Sequence, residues 1–167
     1  MSDEIKQIYR IWQNRYNMMV LADEYEFSWI GKANPTKDQV FTYVYKSGDG
    51  TPKGYVTLKQ AVEANGRNIA CSRFFAVDAE GITGLLNLLI SLGSDHDYAS
   101  FDLPADIDMS LILPEWAGHA NKSSHFAGMV RVINVQKVLE NARCQGSGTV
   151  TISVTDRQIP ENSGTYK

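Results

Sequence analysis

Residues 39–103 constrain the fold more than any other stretch. "QVFTYVYKS" (39–47) alternates apolar and polar residues and is rich in β-formers. "GDGTPKG" (48–54) is a turn segment, and "YVTLKQA" (55–61) alternates again. Two alternating runs joined by a Gly/Asp/Pro turn read as a β-hairpin. "EANGR" makes a second turn and leads into a third strand, "NIACSRFFAV" (68–77). Asp78 then offers a short polar side chain as the N-cap of a helix from about 79 to 92. Leu85, Leu86, Leu88, Leu89 and Leu92 cover more than one face of that helix, which predicts that it is well buried. "YASFDL" (98–103) follows as a strand. A strand, a helix and a strand in this order predict a crossover unit with two parallel strands. The fold class is therefore α+β: a mixed, mainly antiparallel sheet with flanking helices.

The segment before the sheet reads as helical. Ile5, Ile8, Tyr9, Trp12 and Tyr16 fall at helical spacing on one face of residues 3–16. Ser2 can cap this helix, and Asp3 and Glu4 suit the positive end of its dipole. "DEYEFSWIG" (23–31) predicts a second helix ended by Gly31. "PADIDMSLILPEWAG" (104–118) predicts a short helix that Pro114 interrupts or ends.

"HANKSS" (119–124) is polar and has no strong structure signal, which places a domain boundary there, with domains over 1–122 and 123–167. Beyond it, "GMVRVINV" (128–135) reads as a strand, Asn134 as an N-cap, and "VQKVLENA" (135–142) as a short helix. "GTVTISVTD" (148–156) reads as a strand, "RQIPENSG" as a turn, and "TYK" as the start of another strand. A strand with little to pair against is not a stable end. This leads to the expectation that the chain is a piece of a longer protein.

Composition excludes several functions. The net charge of −3 and pI near 5.6 give no basic footprint for general nucleic-acid binding. No apolar run approaches the roughly 20 residues of a membrane span, and "MSDEIKQIYR" lacks signal-peptide anatomy. The expected location is cytoplasmic, and the two cysteines, Cys71 and Cys144, are expected to be reduced thiols.

Chemical motifs are sparse. Asp95, His96 and Asp97 stand side by side, but adjacent side chains diverge, so a surface turn before a strand is expected rather than a metal site. No functional role is assigned to His119 or His125. "GDGT" (48–51) and "GSGT" (146–149) do not lie between a strand and a helix, and they read as turns rather than phosphate loops. Trp12, Tyr16, Trp29, Phe41, Tyr43 and Tyr45 are either core or the lining of a ligand pocket. "DLPADIDMSLILPEW" (102–116) gathers Asp102, Asp106, Asp108, Glu115 and Trp116 just after a strand. Carboxylates with an aromatic face suit a cationic amine. A solvated acidic loop is the alternative reading.

The element order resembles the GNAT acyltransferase fold, and more closely the Eis-like (enhanced intracellular survival) acetyltransferases. "IYRIWQNRYNMMVLADEYEFSWI" (8–30) resembles the opening of their second, degenerate GNAT-like domain, and "PKGYVTLKQ" (52–60) its central strand. "FAGMVRVINVQKVLE" (126–140) and "GTVTISVTDRQIPENSGTYK" (148–167) resemble the start of their sterol-carrier-protein-like domain, a partial α/β segment here. The resemblance implies an intact protein that moves an acetyl group from acetyl-CoA to an amine by direct attack on the thioester, with a general acid at the leaving thiol. It also implies a catalytic GNAT domain of the same parent protein as partner, an acidic cleft for the amine substrate, and a homo-oligomer. The catalytic tyrosine and the terminal carboxylate of that family belong to parts with no match here, so no catalytic residue is assigned.

A working GNAT domain holds the acyl-CoA pyrophosphate on a turn of the Q/R-x-x-G-x-G/A type at a helix N-terminus. The equivalent place reads "AVDAEGITGLLNLL": Gly81 and Gly84 are present at the wrong spacing, the basic residue is missing, and Asp78 and Glu80 stand where phosphates would lie. The expectation is that this chain holds no cofactor and no metal, and is inactive alone. Two other readings remain open. One is a non-enzymatic binding or scaffold domain with an apolar, lipid-like pocket. The other is a stand-alone GNAT enzyme with an aberrant CoA site.

Overall fold

The structure, a computed structural model, describes residues 2–17, 19, 21–25, 27–30, 32–109, 112–113, 121–125, 128–144 and 146–167. Its contacts divide the chain into two units, residues 1–121 and 122–167.

The first unit is built on a four-stranded sheet in the order β1 (Val40–Lys46), β2 (Pro52–Glu63), β3 (Gly66–Ala76) and β4 (Tyr98–Phe101). β1–β2 and β2–β3 are antiparallel hairpins, and β4 lies parallel to β3. Helix α3 (Ala79–Ser91) makes the crossover between them. α1 (Ser2–Gln13) and a single helical turn, α2 (Pro35–Asp38), precede the sheet. The mixed, mostly antiparallel α+β architecture expected from the alternating runs is the one observed.

Each face of the sheet carries its own core. On one face Val56, Leu58, Ile69, Cys71, Phe74 and Ala76 pack against Ile82, Leu85, Leu86 and Leu89 of α3. On the other, Tyr55 packs against Ile5 and Ile8 of α1 and against Phe27, with Phe75, Tyr9 and Val44 at the margin. Such two-sided burial gives both strands apolar residues on each face, Tyr55 and Val56 in β2 and Phe74 and Phe75 in β3. A β-bulge interrupts the alternation. Thr57 faces Arg73 and Leu58 faces Cys71, which leaves Ser72 between them without a partner. The extra residue moves the inward set of β3 from odd positions (Ile69, Cys71) to even ones (Phe74, Ala76).

Three sequence expectations in this unit are corrected. α1 begins at Ser2, so Ser2 is the first helical residue and does not cap from outside. The second helix, expected over 23–31, is absent among the described residues. Ser28, Ile30 and Lys32 donate to carbonyls three residues back, a chain of tight turns, and the Asp23 carboxylate accepts from Tyr25 N–H at 2.9 Å. This local side-chain bond competes with helical bonding. β4 ends at Phe101 instead of Leu103. The helix expected over 104–118 lies largely outside the described residues, and the described part shows turns with Ile107 N–H donating to the Pro104 carbonyl.

The second unit contains α4 (Val135–Asn141) and a small hairpin of β5 (Ile152–Val154) and β6 (Gly164–Tyr166), joined through a 3₁₀ turn over Pro160–Asn162. Asn134 caps α4 as expected, accepting from Lys137 N–H at 2.9 Å. "TYK" does open a strand, which pairs with β5. The strand expected over 148–156 is shortened to three residues. Residues 128–134 form no strand, and none of the described strands pairs with them. Their apolar members stay in solvent, with Met129 fully exposed and Ile133 at 77%.

Candidate functional site

The first unit brings two sequence features together where β3 and β4 part. The two strands pair only from Asn68↔Tyr98 to Cys71↔Phe101, although β3 runs on to Ala76. Past the Ser72 bulge, β3 therefore has no strand on that side among the described residues. The splayed end of β3 leads directly into α3. An opening between parallel strands, next to a helix N-terminus, is a natural place for an extended ligand carrying phosphate.

The N-terminus of α3 is already occupied by the chain itself. The Asp78 carboxylate accepts from Gly81 N–H at 2.9 Å as the N-cap. Its other oxygen takes the Lys53 ammonium at 2.6 Å, and Lys53 lies 3.8 Å from Glu80. The Tyr45 hydroxyl donates to Glu80 at 3.4 Å, and the Arg15 guanidinium donates to the Val77 carbonyl at 3.3 Å. Partial burial opposes ionisation of Asp78, but the bonds from Lys53 and Gly81 outweigh it and hold its pKa below the usual value. The bond to Asp78 raises the Lys53 pKa in turn. Both groups are thus charged at neutral pH.

Two corrections follow for this segment. A basic residue is present after all: Lys53 arrives from β2, because Gly54 pairs with Ala76. Strand register puts it there, so no local motif reveals it. The glycines also have another reason to be glycines. A Cβ on Gly81 would stand 2.3 Å from the Lys53 carbonyl oxygen, and one on Gly84 would stand 2.4 Å from the Tyr45 ring. Both let α3 approach the sheet closely.

The acidic segment is spread out. Asp106 accepts from the Tyr16 hydroxyl at 3.2 Å. Burial, and then the Asp106 charge, push the Tyr16 pKa up. Asp102 is exposed and lines a cavity of about 330 Å³ together with Val40, Lys59, Ala70, Ser72, Ser100 and Phe101. Asp108 is exposed, and Glu115 and Trp116 lie outside the described residues, as does His119. Among the described residues no group of three His, Cys, Asp or Glu side chains is placed to hold a metal.

The other motifs resolve simply. Asp97 accepts from Arg67 N–H at 2.7 Å, and Asp95 sits 3.9 Å from the Arg67 guanidinium, so this triplet clasps the β2–β3 turn. Cys71 is buried and Cys144 exposed, and both are free thiols. Burial raises the Cys71 pKa to about 11, which leaves it protonated and unreactive. Trp12 and Tyr16 join Tyr9, Phe75 and Tyr55 in one aromatic cluster, with Trp12 edge-on to Phe75 at 4.6 Å. Trp29, Phe41 and Tyr43 line a second cavity of about 210 Å³. No described helix is long and apolar enough to cross a membrane.

Residues 9–132 match the family described as acetyltransferase (GNAT) domain. The chain belongs to this GNAT family. Solved structures agree at the level of fold. A Trypanosoma brucei acetyltransferase superposes with a TM-score of 0.50 at 9% identity, over 77% of this chain and 95% of that one. A probable acetyltransferase superposes with a TM-score of 0.51 at 8% identity, over 78% of this chain and 93% of that one. No curated protein matches the chain.

Proposed function

We propose that this GNAT domain does not hold acyl-CoA and serves as the non-catalytic part of an acetyl-CoA-dependent N-acetyltransferase of the Eis-like kind. One observation carries the reading. The N-terminus of α3 is filled by a carboxylate that is capped, ion-paired to Lys53, and held ionised. A diphosphate placed there would face Asp78 and Glu80 at short range, and would have to displace Lys53 from both. Gly81 and Gly84 are packed against Lys53 and Tyr45, which keeps them from forming an open cradle.

In this proposal the catalytic GNAT domain of the same parent protein carries the chemistry, and this domain shapes the acceptor side. Asp102, Asp106 and Asp108 suit a cationic amine through charge, with Glu115 and Trp116 as further members of the same segment. Residues 123–167 are the start of a sterol-carrier-like domain, the assembly is a homo-oligomer, and the protein works in the cytoplasm.

The test is calorimetric titration of the purified chain with acetyl-CoA. The expected result is no saturable heat up to roughly millimolar ligand, a binding free energy weaker than about −4 kcal/mol. Saturable binding in the micromolar range would overturn the reading and make the chain a candidate enzyme in its own right.

A further inference from the structure

One cavity of the first unit gathers charges of both signs, at the point where β3 and β4 part. Val40, Lys59, Ala70 and Ser100 occupy one row of the pairing register, one from each strand. Strand alternation puts Lys59 on the same face as Tyr55, so the row lies on the α1 side of the sheet. Lys59 and Ser100 are exposed, so α1 does not cover this row. The last β3–β4 pair is Cys71↔Phe101, and the next residue on each chain is Ser72 and Asp102. All of these residues line the cavity of about 330 Å³. That volume reaches the lower end of ligand-pocket sizes, about 300 Å³.

The two charges stand at opposite ends. Lys59 is on β2, two strands and so roughly 10 Å across the sheet from β4, and Asp102 follows the last residue of β4. Among the described residues Lys59 has no ion pair. Its flexible four-carbon stem lets the ammonium lean over the cavity. Between the charges the wall is apolar at Val40, Ala70 and Phe101 and hydroxylic at Ser72 and Ser100. Ser72 Oγ donates to the Thr57 carbonyl at 3.3 Å, and Ser100 Oγ accepts from the Asn68 amide at 3.2 Å, which holds both hydroxyls in place. A plain cation in this cavity is repelled by Lys59, and a plain anion by Asp102. A small molecule that carries both charges is attracted at both ends.

We infer that this cavity binds a small amino acid as its zwitterion, with the ammonium on Asp102, the carboxylate on Lys59 and a short apolar side chain against Val40 and Phe101. The assignment rests on the reading of Asp102 as part of an amine-acceptor wall, and it narrows the amine to one that also carries a carboxylate. It does not depend on whether the start of α3 holds acetyl-CoA.

The experiment is a ¹H–¹⁵N NMR titration of the full chain with L-valine, with isobutylamine, which lacks its carboxylate, and with isovalerate, which lacks its amine. The backbone amides of residues 70–72 and 100–102 are followed. The expected result is a saturable shift with L-valine, with Kd of ~1 mM or tighter, and binding ~10-fold or more weaker for each of the other two. Lys59→Gln should weaken L-valine ~10-fold and leave isobutylamine no weaker. Asp102→Asn should weaken L-valine by a similar factor and leave isovalerate no weaker. Both positions are exposed, and core methyl signals on the α3 side report whether each variant is folded. Isobutylamine bound as tightly as L-valine, and weakened by Asp102→Asn alone, would overturn the inference while keeping the amine-acceptor reading of Asp102. Failure of both amines to bind would overturn the inference and that reading together. L-valine affinity unchanged in either variant, or isovalerate bound as tightly as L-valine, would overturn the inference as well.

Discussion

The two units of this chain are held together by different physics. Residues 1–121 bury apolar side chains on both faces of one sheet, and their largest fully buried members include Tyr55, Ile5, Ile8, Ile69 and Leu85. In residues 122–167, Asn162 is the one buried residue among those described. Around it runs a polar network. The Asn162 amide donates to the Val132 carbonyl and to Asp156, and its oxygen accepts from Val135 N–H at 3.1 Å. Asp156 takes Arg131 at 2.7 Å and the N–H groups of Gln158 and Ile159. Burial is non-directional and tolerant of pH, whereas hydrogen bonds to a carboxylate are directional and titrate. The first unit should therefore answer to changes of volume, and the second to changes of charge.

The largest expected effect is on the α3 side. Leu85 is 1% exposed, and Leu85→Ala should destabilise the first unit by ~3 kcal/mol through lost burial and a residual cavity. Denaturant unfolding followed by Trp fluorescence measures it, and a loss below ~1 kcal/mol would show that this core is loosely packed. Gly81→Ala comes next. Its Cβ meets a backbone carbonyl, which cannot step aside as a flexible side chain can, so ~2 kcal/mol is expected by the same measurement.

In the second unit, Asn162→Ala removes both ends of the bridge between residues 132–135 and Asp156. A loss of ~2 kcal/mol is expected, visible as faster amide exchange at Val135 and Ile159. An effect confined to fraying of the mutated turn would remove the contrast between the units. The smallest structural effect is Asp78→Ala, an N-cap loss of ~1 kcal/mol in the first unit. The same variant frees Lys53, and it also sharpens the reading of the start of α3: acetyl-CoA affinity should rise in Asp78→Ala relative to the parent chain if the carboxylate is what excludes phosphate.

The charge dependence has a definite sign. Hydrogen bonds from Ile159 N–H, Asn162 and Gln158 hold the Asp156 pKa at about 2, against an ordinary 3.8. A depressed pKa gives stabilisation that is complete above the unfolded value and fades as pH falls from about 4 toward 2. Amide exchange in residues 131–166 should accelerate across that window, and Asp156→Asn should flatten the dependence. A pH profile unchanged by Asp156→Asn would mean that other carboxylates control the acid response.

Much of the first unit is legible in its sequence, because its signals are local. Alternation marks β1 and β2, a turn followed by an apolar run marks β3, the Asp78 side chain marks the start of α3, and the five leucines mark a buried helix. The failures come where two local preferences compete. Residues 23–31 have helical spacing, yet Asp23 bonds its own neighbouring backbone and the chain turns instead. Residues 128–134 have strand composition, yet a strand needs a partner, and none of the described strands pairs with this segment. The candidate site was legible only in part. Asp78 and Glu80 could be seen from the chain alone, and Lys53 could not, since it lies 25 residues from Asp78 and reaches it through register.

The sequence by itself determined the α+β class, the crossover unit and the capping role of Asp78. Each of these depends on neighbours along the chain or on hydrophobic period. The tertiary structure decided which charges meet. The bulge at Ser72 reverses the facing of β3, the early end of β4 opens the sheet, and cross-strand register brings Lys53 to Asp78 and Arg73 to Thr57 on the face covered by Trp29. The physical reason is that strand pairing joins residues through the backbone ladder, whatever their separation along the chain, and a single extra residue changes which side chains face each other.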